Sequence, residues 1–189
     1  MGDKRPALRL SRPCAAPPEL VYDMLADLRS HLRWGGQEQS GDFRLLSLAA
    51  PDGPATVGTI FSTTGAIPMS RKRWEDRSTV TVAARPFTFE FVTHATAGTG
   101  RRAMAARYVH RYDVSAVGAG SVVTYTMTQE QITNPFLRLG LPVMRSLTWR
   151  FAIPLFAGRG FRNLVEDAAT TAKVGLQPQA ISARSGGTA

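Results

Sequence analysis

His110 is the side chain best placed for chemistry in this sequence. It sits in "RYVHRYDV", with Tyr108 and Tyr112 two residues to either side. Alternate residues of a strand share one face, so an imidazole and two phenols would point the same way. Such an imidazole could serve as the general acid/base of an aldol-type cyclisation or dehydration, its pKa tuned by burial. Tyrosine hydroxyls, that of Tyr125 included, could hold a ligand carbonyl. The plainer role is a core histidine satisfied by a hydrogen bond. Other constellations fail. His94 has the opposite parity from His110, and His31 lies beside the first helical segment, so no three-ligand metal set forms. Cys14 is the single cysteine and has no obvious histidine partner, and no GxSxG is present. "GTGRR" lacks the Gly-Lys-Ser/Thr of a phosphate loop. Asp76 has inward parity but falls near the start of its strand, so a paired acid and base is not expected. Neither a metal nor a cofactor is predicted.

A second candidate surface is electrostatic. The chain carries 23 Lys+Arg against 14 Asp+Glu, a net charge of +9. No acidic residue occurs between Glu130 and Glu166, while Arg138, Arg145 and Arg150 interleave with Phe136, Leu139, Leu141, Trp149 and Phe151. A basic, aromatic segment of this kind can lie on an anionic membrane surface. The alternative is a core helix whose arginines reach solvent. Nucleic acid is not an expected partner, because the strands offer no exposed aromatic platform.

Elements must position these groups. A chain of 189 residues with 43% hydrophobic content suits one domain, predicted over 1–175, with 176–189 a frayed tail. The start, "MGDKRPALRLSRPCAAPP", has no apolar core of a signal peptide, and Pro6 stands where a myristoylation signal wants Ser or Thr. No uncharged run reaches the ~18 residues of a spanning helix. A cytoplasmic protein is expected, with peripheral membrane contact through 136–162 as an option.

Residues 7–14 alternate weakly and predict a strand. Pro17-Pro18 then opens a helix with Glu19 in its first turn. Leu20, Val21, Met24, Leu25 and Leu28 share one face of it, and Trp34 stands at its exit, before Gly35-Gly36. From 42 to 131 the period becomes two, over six strand-like runs separated by turn chemistry. A turn at Gly98–Gly100 would pair Phe91 with Tyr108 and Phe89 with His110. A turn at Gly118-Ala119 would pair Tyr112 with Tyr125 and His110 with Met127, and "RPFT" would pair Val82 with Phe91. All three turns select one inward face: Val80, Val82, Phe89, Phe91, Tyr108, His110, Tyr112, Val123, Tyr125 and Met127. Arg107, Arg111 and Glu90 take the other face. A last helix is predicted from about Leu155 to Lys173, after breaks at Pro142 and Pro154.

This order resembles the START-like helix-grip superfamily, the SRPBCC or polyketide cyclase/dehydrase group. The carriers are "APPELVYDMLADLRSHLRW", "VGTIF", a Trp followed by "STVTVAARPFTFEFVT", and "RYVHRYDVSAVGAGSVVTYT". The resemblance implies an α+β helix-grip fold: about seven antiparallel strands wrapped around a long, kinked C-terminal helix, with short helices after the first strand. It also implies a cavity for an apolar ligand between sheet and helix. Trp34 would then be a lid residue or a core plug, and Trp74, Phe89, Phe91, Tyr108, Tyr112, Tyr125 and Met127 would line the cavity. The expected function is binding of a hydrophobic or aromatic small molecule: a lipid, quinone or polyketide-like compound. The alternatives are an aromatase/cyclase using His110, and a membrane-associated carrier using the arginine-rich segment.

Overall fold

The computed structural model describes residues 7–35, 45–66, 73–97, 104–133 and 153–176. The chain runs β1 (Ala7–Cys14), α1 (Pro18–Ala26), α2 (Ser30–Trp34), β2 (Leu45–Ala49), β3 (Ile60–Ala66), β4 (Arg73–Ala84), β5 (Thr88–Ala97), β6 (Met104–Val117), β7 (Gly120–Ile132) and α3 (Ile153–Leu176). The strands form one antiparallel seven-stranded sheet in the order β1-β7-β6-β5-β4-β3-β2. The six period-two runs are thus a meander, and β1 closes its far side against β7.

The single helical segment read after β1 is two helices. α1 stops at Ala26, and the Asp27 side chain accepts a hydrogen bond from the Arg29 N–H at 3.2 Å. Local bonding of this kind competes with helix continuation. α2 then re-aims the chain, so that His31 and Trp34 turn inward. α3, Ile153–Leu176, carries Pro154 as its second residue. Its buried stripe, Phe161, Leu164, Val165 and Ala168, faces β1 and the two short helices. Pro142, the predicted start at Asn134-Pro135, and the candidate membrane residues Arg138, Arg145 and Arg150 lie outside the described residues, as do 177–189. Among the described residues, no helix is long and apolar enough to cross a membrane.

Register follows the expected parity with two corrections. The β6–β7 turn pairs Tyr112 with Tyr125 and His110 with Met127, as predicted. Across β5–β6, however, Phe91 faces His110 and Phe89 faces Tyr112, because the connection is centred one residue later than supposed. Moving a turn centre by one residue shifts pairing by two, so the inward face survives. Across β4–β5 the ladder shifts between Val80 and Val82. Near the turn Ala83, not Val82, opposes Phe89, and beyond the bulge Val80 opposes Phe91. A bulge inserts one unpaired residue and flips the alternation, which removes Val82 from the inward set. Arg107 and Arg111 face outward, pairing with Glu130 and with Glu90 and Asp113.

One inward contact demands glycine. Gly65 pairs with Trp74, and the indole lies flat enough over it that an added Cβ would overlap the ring. Gly65→Val is expected to displace Trp74 at a cost of about 1–3 kcal/mol. Urea unfolding with indole fluorescence would check this, and an unchanged midpoint would show that the ring does not rest there.

Candidate functional site

The paired strands sort the inward face into rows. Nearest the helices is a row of Ala83, Phe89, Tyr112, Tyr125 and Leu10. The next is Val80, Phe91, His110, Met127 and Leu8. Beyond it the chemistry changes to Phe61, Ser78, Thr93, Tyr108 and Gln129. Then come Thr63, Asp76, Ala95 and Ala106, and finally Gly65, Trp74 and Ala97. Side chains therefore pass from large aromatics through hydroxyls to alanines along a single face.

The aromatic end is tightly packed. Phe91 stacks on His110 at a centroid distance of 4.8 Å, and Tyr112 lies 4.8 Å from Tyr125. Phe161 of α3 stacks on Tyr125 at 5.9 Å, and Phe61 meets Phe91 edge-on at 5.3 Å. Phe89 is fully enclosed beneath Tyr22 and Phe91. Trp34 is buried here too, its ring against His31 at 4.4 Å and Tyr112 at 6.5 Å. Its Nε1–H donates to Ser30 Oγ at 3.1 Å, while its carbonyl accepts from Asn163 Nδ2 at 3.0 Å, tying α2 to α3. So Trp34, Phe89, Phe91, Tyr112, Tyr125, Met127 and His110 are brought together. Tyr108 stands one row further out, and Trp74 lies at the far end over Gly65.

Two polar groups extend the set read from sequence. His31 is 4% exposed and lies 6.2 Å from the Phe91 ring. It does not sit merely beside the helix; it is a second inward histidine. The signal was available, since residues three apart share a helix face and Trp34 points inward. Its Nε2 lies 2.9 Å from the Leu25 carbonyl, which can only accept, so Nε2 carries the proton. Asp76 is the second group. It sits in the body of β4, flanked by β3 and β5, so an inward carboxylate is present after all. Thr63 Oγ1 donates to its Oδ2 at 3.4 Å, while Oδ1 is buried with no hydrogen-bond partner among the described residues.

Burial governs protonation here. Desolvation pushes His31 down to about 4, against the opposing pull of the Leu25 carbonyl, and pushes His110 down to about 4 with a further contribution from His31. Both imidazoles are neutral at pH 7. His110 Nδ1 lies 2.8 Å from the Tyr125 hydroxyl, whose pKa burial raises far above the ordinary range, with Tyr112 adding to it. Desolvation also drives Asp76 up to about 7, with the Thr63 hydroxyl acting weakly the other way. Tyr108 is raised mainly by burial, opposed by its hydrogen bond from Gln129 and reinforced by the charge of Asp76. The face thus offers neutral hydroxyls and imidazoles plus one carboxyl poised near neutrality. Among the described residues, no three His, Cys, Asp or Glu side chains converge as metal ligands.

The family model for "Polyketide cyclase / dehydrase and lipid transport" matches residues 5–169 of the chain. The chain belongs to that family. Membership in the polyketide cyclase/dehydrase and lipid transport family is consistent with handling of hydrophobic ligands in general. The family fold is seen also in solved structures. A putative uncharacterized protein from Rhizobium leguminosarum superposes with a TM-score of 0.61 at 10% identity, over 88% of this chain and 96% of that one. A protein from Nitrosomonas europaea gives 0.60 at 13% identity, over 92% and 99%. One from Thermus thermophilus gives 0.52 at 20% identity, over 88% and 99%. At these identities the likeness is one of fold alone. No curated protein matches the sequence.

Proposed function

We propose that this member of the family binds a hydrophobic or aromatic small molecule, a lipid, quinone or polyketide-like compound, between the inner face of the sheet and the C-terminal helix. What carries this reading is the gradation of the inward rows. Aromatic packing anchors one end, and at the other the alanines Ala95 and Ala106 follow Asp76 along its row, where larger side chains would fill the space. Ligand sites are typically apolar with a few orienting polar groups, which is the composition of the rows holding Phe91, His110, Tyr108 and Asp76. The ligand-contacting set is Phe91, Tyr108, Met127 and Trp74, with Phe89, Tyr112, Tyr125 and Trp34 as the packed floor. His110 acts as an orienting group. Binding is favoured over acid/base catalysis by His110 because its Nδ1 is committed to Tyr125 and its ring is stacked on Phe91.

Native mass spectrometry of the freshly purified protein is the test. A species heavier by one small organic molecule is expected, and Ala95→Phe should abolish it without unfolding the sheet. A bare wild-type mass, or an adduct unaffected by Ala95→Phe, would remove this placement of the ligand.

A further inference from the structure

Asp76 is not explained by the fold. Burying a carboxyl group without a full set of partners costs free energy, yet among the described residues Oδ1 has no partner and Oδ2 has only the 3.4 Å bond from Thr63. Among the described residues, its surroundings on every packed element are uncharged at neutral pH. β3 contributes Thr63, β5 contributes Thr93 and Ala95, and the neighbours on its own strand are Trp74 and Ser78. The titratable groups further along the same face are Tyr108 and His110 on β6 and His31 on α2, none of them cationic there. Glu75 and Arg77 have the opposite parity. Tyr108 is the other group with something left to give. Its oxygen accepts from Gln129 Nε2 at 3.3 Å, which leaves its own proton free to be donated.

Resting on the ligand-binding reading above, we propose that Asp76, as the neutral acid, and Tyr108 donate hydrogen bonds to a carbonyl oxygen on the ligand, so that the ligand is an aromatic or polycyclic ketone or quinone. A carboxylic acid kept neutral by an apolar site can donate at neutral pH. Two O–H donors without a buried cation are complementary to an acceptor oxygen and not to an anion. A cationic amine is the poorer match, because the whole chain carries +9 and its field disfavours cations. Ala95 and Ala106, which follow Asp76 along its row, put no large side chain beside the carboxyl on that side.

The probes are 2-acetylnaphthalene and 2-ethylnaphthalene, which are close in size and differ in the carbonyl oxygen. Affinities would be measured by quenching of tryptophan fluorescence at about pH 6 and about pH 9, either side of the Asp76 transition. The wild type should bind the acetyl compound about 10-fold more tightly than the ethyl compound at the lower pH, with that preference falling away at the higher pH as the donor proton is lost. Asp76→Leu should abolish the preference at both pH values. Asp76→Asn, which keeps an N–H donor at every pH, should retain it and lose its pH dependence. Tyr108→Phe should weaken it without altering the pH profile. Thermal melts of each variant would confirm folding. If both naphthalenes bind equally in the wild type, or Asp76→Leu leaves the preference intact, the carbonyl anchor is overturned while the binding site stands. If neither compound binds, the binding reading itself fails and the anchor with it.

Discussion

Acidification from about pH 6.5 to about pH 4 should strip about 1–3 kcal/mol of folding stability from this protein, the balance of two opposing effects. His31 and His110 sit near 4 in the folded state against an ordinary value of 6.5. Between those values the unfolded chain binds protons that the native state refuses, so stability is fully present above 6.5 and is lost as pH falls. A lowering of that size corresponds to about 3 kcal/mol for a fully enclosed histidine. His31 comes closest to that figure; His110 keeps part of its surface exposed, so its contribution is smaller. Asp76 acts in the opposite sense. Its folded value of about 7 against an ordinary 3.8 means the native state holds an extra proton between them. Stability from this group therefore declines as pH rises through that window and is flat above it. Two histidines outweigh one carboxyl below 6.5, and only the carboxyl acts from there to 7, which places the maximum near pH 6.5. Urea titrations at half-unit pH steps would trace the curve, and Asp76→Asn should flatten its alkaline limb. A stability independent of pH between 4.5 and 6.5 would mean that the two rings are solvated.

Phe161→Ala should be the most damaging single truncation on the helix side. Phe161 is 2% exposed and stacks on Tyr125, which in turn holds His110. Truncating a buried phenylalanine costs about 3–5 kcal/mol, through lost transfer energy and the cavity left behind. At roughly 2–4 °C per kcal/mol for a chain of this length, the melting temperature should drop by about 10 °C. Phe161→Leu should recover much of this, since it refills most of the volume. A loss under about 1 kcal/mol for the alanine variant would show that α3 is held by Leu164 and Val165 without the ring.

The sheet was legible because its signals are local. Alternation over β4 to β7 and the turn chemistry between them set the inward parity, and parity is insensitive to a turn centred one residue off. The bulge near Thr81 was not legible, because its residues suit either face and only the paired ladder shows which one is extra. The division of α1 from α2 rests on a three-residue turn, Asp27–Arg29, that propensity barely distinguishes from helix. That division decides where His31 goes. Parity alone points Asp76 inward, but a residue near a strand start need not be enclosed; the pairing of β3 and β5 on either side of it decides its burial. Trp74 was located by resemblance, while its seat over Gly65 is a cross-strand fact that no single-strand pattern contains.

The pairing of β1 with β7 joins Ala7 to Thr128, the first strand made to the last. On a ribosome, β1 waits unpaired while six strands emerge, for roughly ten seconds at ordinary elongation rates. Through that interval Leu8 and Leu10 have no partner, and β7, once made, would present an open edge if β1 were engaged elsewhere. The loop that must close is most of the domain, and its entropic cost precedes any return from the ladder. Folding of this protein should therefore be slow relative to its size. The early strand is the segment that a holdase chaperone, or a second nascent copy, would reach first.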